Sequence, residues 1–220
     1  MWEISPWELF LMGGPLMWPI LGCSIVAMAI VIEKLVYLNR INEDITALKN
    51  RIFAAISRND IKEALKICDH SGSPVAIVLR SGLLQYGRDK EEITVAMDEA
   101  SQFGVPVLEE RLPALLAIGN IAPLLGLLGT VTGMCLSFHL ISLRSAALNP
   151  VSTGDIAAGV WQSLISTAAG LIVAIPVYVA YHFLVSCVQR YVLQMEKAAS
   201  DLANFLTRVP TLENDTSGGE

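Results

Sequence analysis

Ile156 to Gln189 reads IAAGVWQSLISTAAGLIVAIPVYVAYHFLVSCVQ, 34 residues without one Asp, Glu, Lys or Arg. About 20 apolar residues in a helix span the hydrocarbon core of a bilayer, so this run can cross it and continue beyond. One face of that helix is not apolar. Gln162, Ser163, Ser166, Thr167 and Gly170 recur at three- and four-residue spacing, which lines them along one stripe. Lipid cannot satisfy a carboxamide, so the stripe must face protein or a watery path.

Two further runs extend the pattern. Pro15 to Ile32 is 18 residues without a charge, and Pro113 to Leu143 is 31. Trp2, Trp7 and Trp18 cluster near the start of the first, as aromatic side chains do at a bilayer interface. The whole chain has 220 residues, 53% hydrophobic and 16% charged, with a mean hydropathy of +0.53. Soluble domains carry about 25% charged residues, so composition also points to the membrane. The expected fold class is an all-α membrane protein of three transmembrane helices with long cytoplasmic helical extensions.

Orientation follows from the basic residues. Asn39 to Leu112 holds ten Lys and Arg, the first 14 residues hold none, and the loop from Arg144 to Gly154 holds only Arg144. The positive-inside rule then puts the N-terminus outside and the C-terminus in the cytoplasm. The expected organisation is a periplasmic segment 1–14, a first span 15–38, a cytoplasmic helical domain 39–112 and a second span 113–143. A periplasmic loop 144–154, a third span 155–189 and a cytoplasmic helix with a disordered tail 190–220 complete it. Residues 1–14 include Glu3 and Glu8 but no basic residue, so they do not read as a cleaved signal peptide.

The cytoplasmic insertion has helix-start signals. Asp60 with Glu63, and Asp89 with Glu92, each place an acid at an N-cap and a Glu three residues on that can reach back. Ser73-Pro74 fits a cap followed by proline at the first helical position. Ile61, Ala64, Leu65 and Cys68 share one face, and Val75, Val78, Leu79 and Leu83 another. The first span is expected to continue as helix through Ile41, Ile45, Leu48 and Ile52, and the third through Val192, Met195 and Ala199. Ser152 to Asp155 reads as a capping box for the third span, and Glu33 and Lys34 as side chains that snorkel at the inner end of the first.

The second span carries its own small-residue line: Gly126, Gly129, Thr130, Gly133 and Ser137. Small residues let helices in lipid approach closely, so the glycines are expected to pack helices. Thr130 and Thr167 are hydroxyls near the middle of their spans, free either to bond their own backbone or to line a polar path. The second and third apolar runs hold no carboxylate, Lys or Arg, and their only imidazoles, His139 and His182, lie towards opposite ends. Neither repeats as a metal pair, and both read as interfacial and structural. Cys23, Cys68, Cys135 and Cys187 lack metal-ligand spacing. No metal, cofactor or enzymatic site is expected, and a net charge of −6 gives no basic patch for nucleic acid.

The segments Ala122-Pro-Leu-Leu-Gly126-Leu-Leu-Gly129-Thr130-Val-Thr-Gly133-Met134 and Thr167-Ala-Ala-Gly170-Leu-Ile-Val-Ala-Ile-Pro176 closely resemble the two signature segments of the ExbB/TolQ branch of the MotA/TolQ/ExbB proton-channel family. The resemblance covers Pro15 to Arg208 and implies a stator-like subunit in the bacterial inner membrane. Such a subunit uses proton motive force for biopolymer or protein transport across the envelope. It implies a homopentamer whose second and third spans surround a pore. A single-span ExbD/TolR-like partner brings a transmembrane Asp into that pore, and a TonB-like or other envelope protein receives the work. Carried over residue by residue, Thr130 and Thr167 match pore-facing threonines, with Gln162, Ser163 and Ser166 as their polar surroundings. Gly126, Gly129, Gly133 and Gly170, with Pro176, match helix-packing positions. The family's best-studied members have a glutamate where this chain has Gln162, so the titrating group is expected on the partner. The other reading open to these residues is a structural membrane scaffold with no proton-conducting role.

Overall fold

The computed structural model describes residues 5–58, 60–146 and 153–208. Within them the chain forms seven α-helices and no strand: α1 Pro6–Met12, α2 Met17–Ser57, α3 Ile61–Ser71, α4 Pro74–Leu84, α5 Lys90–Glu109, α6 Leu112–Ala146 and α7 Thr153–Arg208. Helices α2, α6 and α7 are long and apolar enough to cross a membrane, in agreement with the three runs read from sequence. The chain divides into two compact units, Met1–Lys34 with Arg111–Leu184, and Leu35–Glu110 with Val185–Glu220.

The first unit begins with a helix that the apolar runs do not reveal. Ser5 caps α1 in a capping box: its hydroxyl accepts from Glu8 N at 3.2 Å, and Glu8 Oε2 accepts from Ser5 N at 3.1 Å. The Ser-Pro-Trp-Glu spelling was the available signal. Phe10 stacks on Trp7 at 5.6 Å and meets Trp18 edge-on at 5.3 Å, so the expected aromatic cluster forms around Phe10. Trp2 lies outside the described residues, as do Ser152 of the expected capping box and the tail after Pro210.

At the other end of the same unit, Glu33 is exposed, whereas Lys34 is buried rather than extended to water as expected. Arg111 donates to the Glu33 carboxylate, and Lys34 is buried at 4% exposure. Arg111 carries the chain between α5 and α6 at φ +68, and it pairs with Glu33 while both side chains stay half exposed. This exposed ion pair links α2 to the residue before α6 and adds at most about 1 kcal/mol.

The second unit is built on a heptad seam. Leu38, Ile41, Ile45, Leu48, Ile52 and Ala55 are buried along α2, and Val188, Tyr191, Met195, Ala198 and Leu202 along α7. Alternating three- and four-residue spacing keeps one stripe facing its partner along a helix pair. Phe53 packs on Phe205 at 5.2 Å, and Lys49 donates to Asp201 beside them. Helix α4 packs on both α3 and α5, burying Val75, Val78, Leu79 and Leu83 as expected, with Ala64 and Cys68 from α3.

The caps decide where these short helices begin. Asp60 Oδ1 accepts from Glu63 N at 3.0 Å, and Ser73 Oγ accepts from Ala76 N at 3.2 Å. Asp89 occupies the N-cap of α5 but makes no side-chain cap bond. Glu92, the residue expected to reach back to it, is instead paired with Arg88 at 3.0 Å.

Candidate functional site

Helices α6 and α7 meet in an antiparallel seam in which each partner is short. Reading up α6 and down α7, Gly119 faces Val177 and Tyr178, Gly126 faces Ser166 and Thr167, Gly129 faces Ser166, Gly133 faces Ser163, and Ser137 faces Gly159. Two of these contacts are backbone on backbone. A Cβ on Gly170 would stand 2.6 Å from the Ala122 carbonyl oxygen and 3.2 Å from Gly126 Cα. A Cβ on Gly126 would stand 3.0 Å from both Ser166 O and Thr167 Cα. Gly170 has no room for a side chain unless the backbones part, and at Gly126 even a methyl group requires the helices to give by a few tenths of an ångström. At Gly129, Gly133 and Gly159 the neighbours are instead the hydroxymethyl groups of Ser166, Ser163 and Ser137.

The hydroxyls in this seam bond to main-chain oxygens. Thr167 Oγ1 crosses from α7 to Gly126 O on α6 at 3.0 Å. Ser163 Oγ donates to Gly159 O at 2.8 Å and reaches Thr130 O at 3.5 Å. Ser166 donates to Ser163 O at 2.9 Å, Ser137 to Gly133 O at 2.9 Å and Thr130 to Leu127 O at 2.7 Å. In an apolar medium such back-bonding removes the penalty of an unsatisfied hydroxyl while keeping the side chain small.

The sequence stripe thus divides in space. Ser163 and Ser166 are 3% and 1% exposed, inside the α6–α7 seam, whereas Thr130 and Thr167 are half-buried at its margin. Gly126, Gly129, Gly133 and Gly170 are brought together in that seam. Pro176 lies on an exposed surface of α7, and the helix continues through it. Gly159 was not singled out by sequence, although it continues the Ser163 line one turn back.

Gln162 has a different neighbour. Its amide lies against Gly14 in the turn between α1 and α2, where φ is +80. Only a glycine supplies both that backbone angle and the missing Cβ. A Cβ on the preceding Gly13 would be 3.3 Å from Ile165 Cγ2, so this turn is seated directly on α7. On its other side Gln162 lines a cavity of about 360 Å³ with Ser137, His139, Arg144 and Gly159. Nothing in the sequence signals that Gly14 and Gln162 meet.

Fold and site together define an all-helical, three-span membrane protein whose second and third spans are closed on each other by glycine and hydroxyl contacts. The chain belongs to the MotA/TolQ/ExbB proton channel family, whose sequence profile matches residues 70–197. It is similar to the biopolymer transport protein ExbB-like 3 of Synechocystis, at 30% identity over 163 residues covering 74% of this chain and 77% of that protein. It is also similar to the Tol-Pal system protein TolQ of Haemophilus influenzae, at 28% over 205 residues covering 88% and 85%. The biopolymer transport protein ExbB of Neisseria meningitidis is 28% identical over 172 residues, covering 73% and 76%. Both signature segments read from sequence lie inside the matched region, and they are the segments that form the α6–α7 seam.

Proposed function

We propose that this chain is the ring-forming subunit of a proton-driven motor in the bacterial inner membrane. Its N-terminus is outside, and residues 39–112 and the tail after Gln189 are cytoplasmic. Five copies enclose a pore, and an ExbD/TolR-like partner with one span places its Asp there. The observation that carries the reading is the Thr167 to Gly126 hydrogen bond, which joins the two signature segments one helical turn from Thr130.

In this arrangement Thr130, Thr167 and Gln162 form the polar surroundings of the partner's carboxyl group, and Ser163 and Ser166 hold the wall behind them. A Gln cannot exchange a proton near neutral pH, so it orients water or the partner helix while the Asp takes and releases the proton. The electrical gradient supplies about 2.3 kcal/mol per charge per 100 mV, enough to bias a two-state ring at each step. The work passes to a TonB-like or other envelope protein.

Co-expression with the single-span partner should give a stable complex that carries protons in vesicles, and Asp→Asn in the partner should abolish both flux and envelope function. Retention of both by that variant would refute the motor. The scaffold reading is favoured by one observation: the Thr130, Ser163, Ser166 and Thr167 hydroxyls all find acceptors within the helix pair. It requires Thr130→Ala and Thr167→Ala to leave flux and envelope function unchanged.

A further inference from the structure

The α6–α7 pair carries one more polar contact, which the threonines and Gln162 do not account for. The Tyr178 hydroxyl donates to Asn120 Oδ1. The Tyr178 ring lies over Gly119 of α6, where a Cβ would stand at an ordinary contact distance of 3.6 Å from Cε2 and Cζ. Asn120 is exposed and lies within the 31-residue run that has no charge. Its carboxamide still has two N–H donors, and this is its one hydrogen bond among the described residues. An amide in that condition cannot be left facing hydrocarbon.

Position along the helix gives the pair a role. At 1.5 Å per residue, Gln162 and Tyr178 are about 24 Å apart along α7, against a hydrocarbon core of about 30 Å. Thr167 falls between them, about 8 Å from Gln162. On α6, Asn120 is about 15 Å from Thr130 in the matching direction. Polar groups on one helix pair therefore mark both ends and the interior of a bilayer-crossing line, and the pair occupies the end nearer Arg111 and Glu33.

Resting on the proton-channel reading above, we propose that Asn120 and Tyr178 form the inner station of the proton path, where cytoplasmic water enters the ring. Asn120 is a positioning residue there. Its N–H donors orient a water chain, and Tyr178 fixes the carboxamide by occupying its oxygen. No bond in either side chain is made or broken: an excess proton passes from one water to the next and leaves into the cytoplasm.

The test uses the full chain in complex with its single-span partner, in inside-out vesicles, with the four native cysteines replaced. Asn120→Cys should react with a charged methanethiosulfonate at least about tenfold faster than Met28→Cys, which is exposed on α2, and a cysteine facing lipid or a packed helix should not. Loss of one such hydrogen-bonding group should lower partner-dependent flux about three- to tenfold in Tyr178→Phe and Asn120→Leu, with Asn120→Gln restoring it and assembly unchanged. Slow labelling of Asn120→Cys, or wild-type flux in Asn120→Leu, overturns the station alone. Absence of flux from the unmodified complex, with Asn120→Cys still labelled fast, overturns the motor reading instead.

Discussion

The two units hold their helices together by opposite means. In the unit containing α6, the middle of the α6–α7 seam is closed where side chains are missing, at Gly126, Gly129, Gly133, Gly159 and Gly170, with fully buried leucines, Leu115 and Leu184, only towards its end. In the unit containing α3 to α5, contact is made by large side chains, with Leu79, Leu83, Ile93, Met97 and Leu202 almost wholly buried. The difference follows from the solvent. Water drives apolar side chains together, whereas lipid is as apolar as they are and rewards only close packing and satisfied hydrogen bonds.

The comparison breaks most readily at Gly170. Gly170→Leu would place a branched side chain where the Ala122 carbonyl oxygen already lies within 2.6 Å of a bare Cβ, so the α6–α7 pair should not close. Size-exclusion chromatography in detergent should show loss of the assembled species. Gly129→Ala meets the Ser166 hydroxyl, which can rotate, and Ser166 Cβ at 2.7 Å, which a small helix shift must relieve. It should still assemble, with a stability loss of about 1–3 kcal/mol. Equal damage from both would remove the distinction between backbone and side-chain contacts.

In the other unit, Leu79→Ala should cost about 2–5 kcal/mol by chemical denaturation, through lost burial and a residual cavity. A smaller effect is expected at Cys68. Burial, with help from Asp69, pushes this thiol from 9.0 up to about 11. The folded state therefore favours the neutral form. That contribution is complete below the unfolded value and is lost as pH rises through about 11. Alkylation of Cys68 in the native protein near pH 8 should be at least about tenfold slower than in denaturant, since the thiolate is the nucleophile. Equal rates would place Cys68 outside the core. The smallest effect is expected from Thr167→Ala, which removes one of the inter-helix hydrogen bonds for about 0.6 kcal/mol of helix-pair stability. A loss of several kcal/mol would make that bond, rather than the glycine contacts, the main tie.

Much of this architecture was legible in the chain. Uncharged length marked the three long helices, and three- and four-residue spacing extended α2 and α7 beyond the apolar runs. Acid and Ser-Pro signals placed the starts of α3 and α4. Where the reading missed, a second element had supplied a partner. Lys34 is buried by its packing in the fold, and Arg88 takes Glu92 away from the N-cap of α5. Gln162 was visible as an amide that lipid could not satisfy, but nothing in its neighbourhood along the chain names Gly14 as its contact.

The sequence by itself determined the helices, their apolar faces and the two signature segments, because periodicity and charge are properties of a single helix. Only the tertiary structure decided which polar groups serve packing and which remain at its margin. Ser163 and Thr167 belong to one stripe in sequence, yet one is enclosed by Gly133 and the other bridges to Gly126 at the edge of the seam. The physical reason is that a hydroxyl's role in lipid depends on the nearest carbonyl oxygen across the gap, and that distance is set by the glycines of the opposing helix.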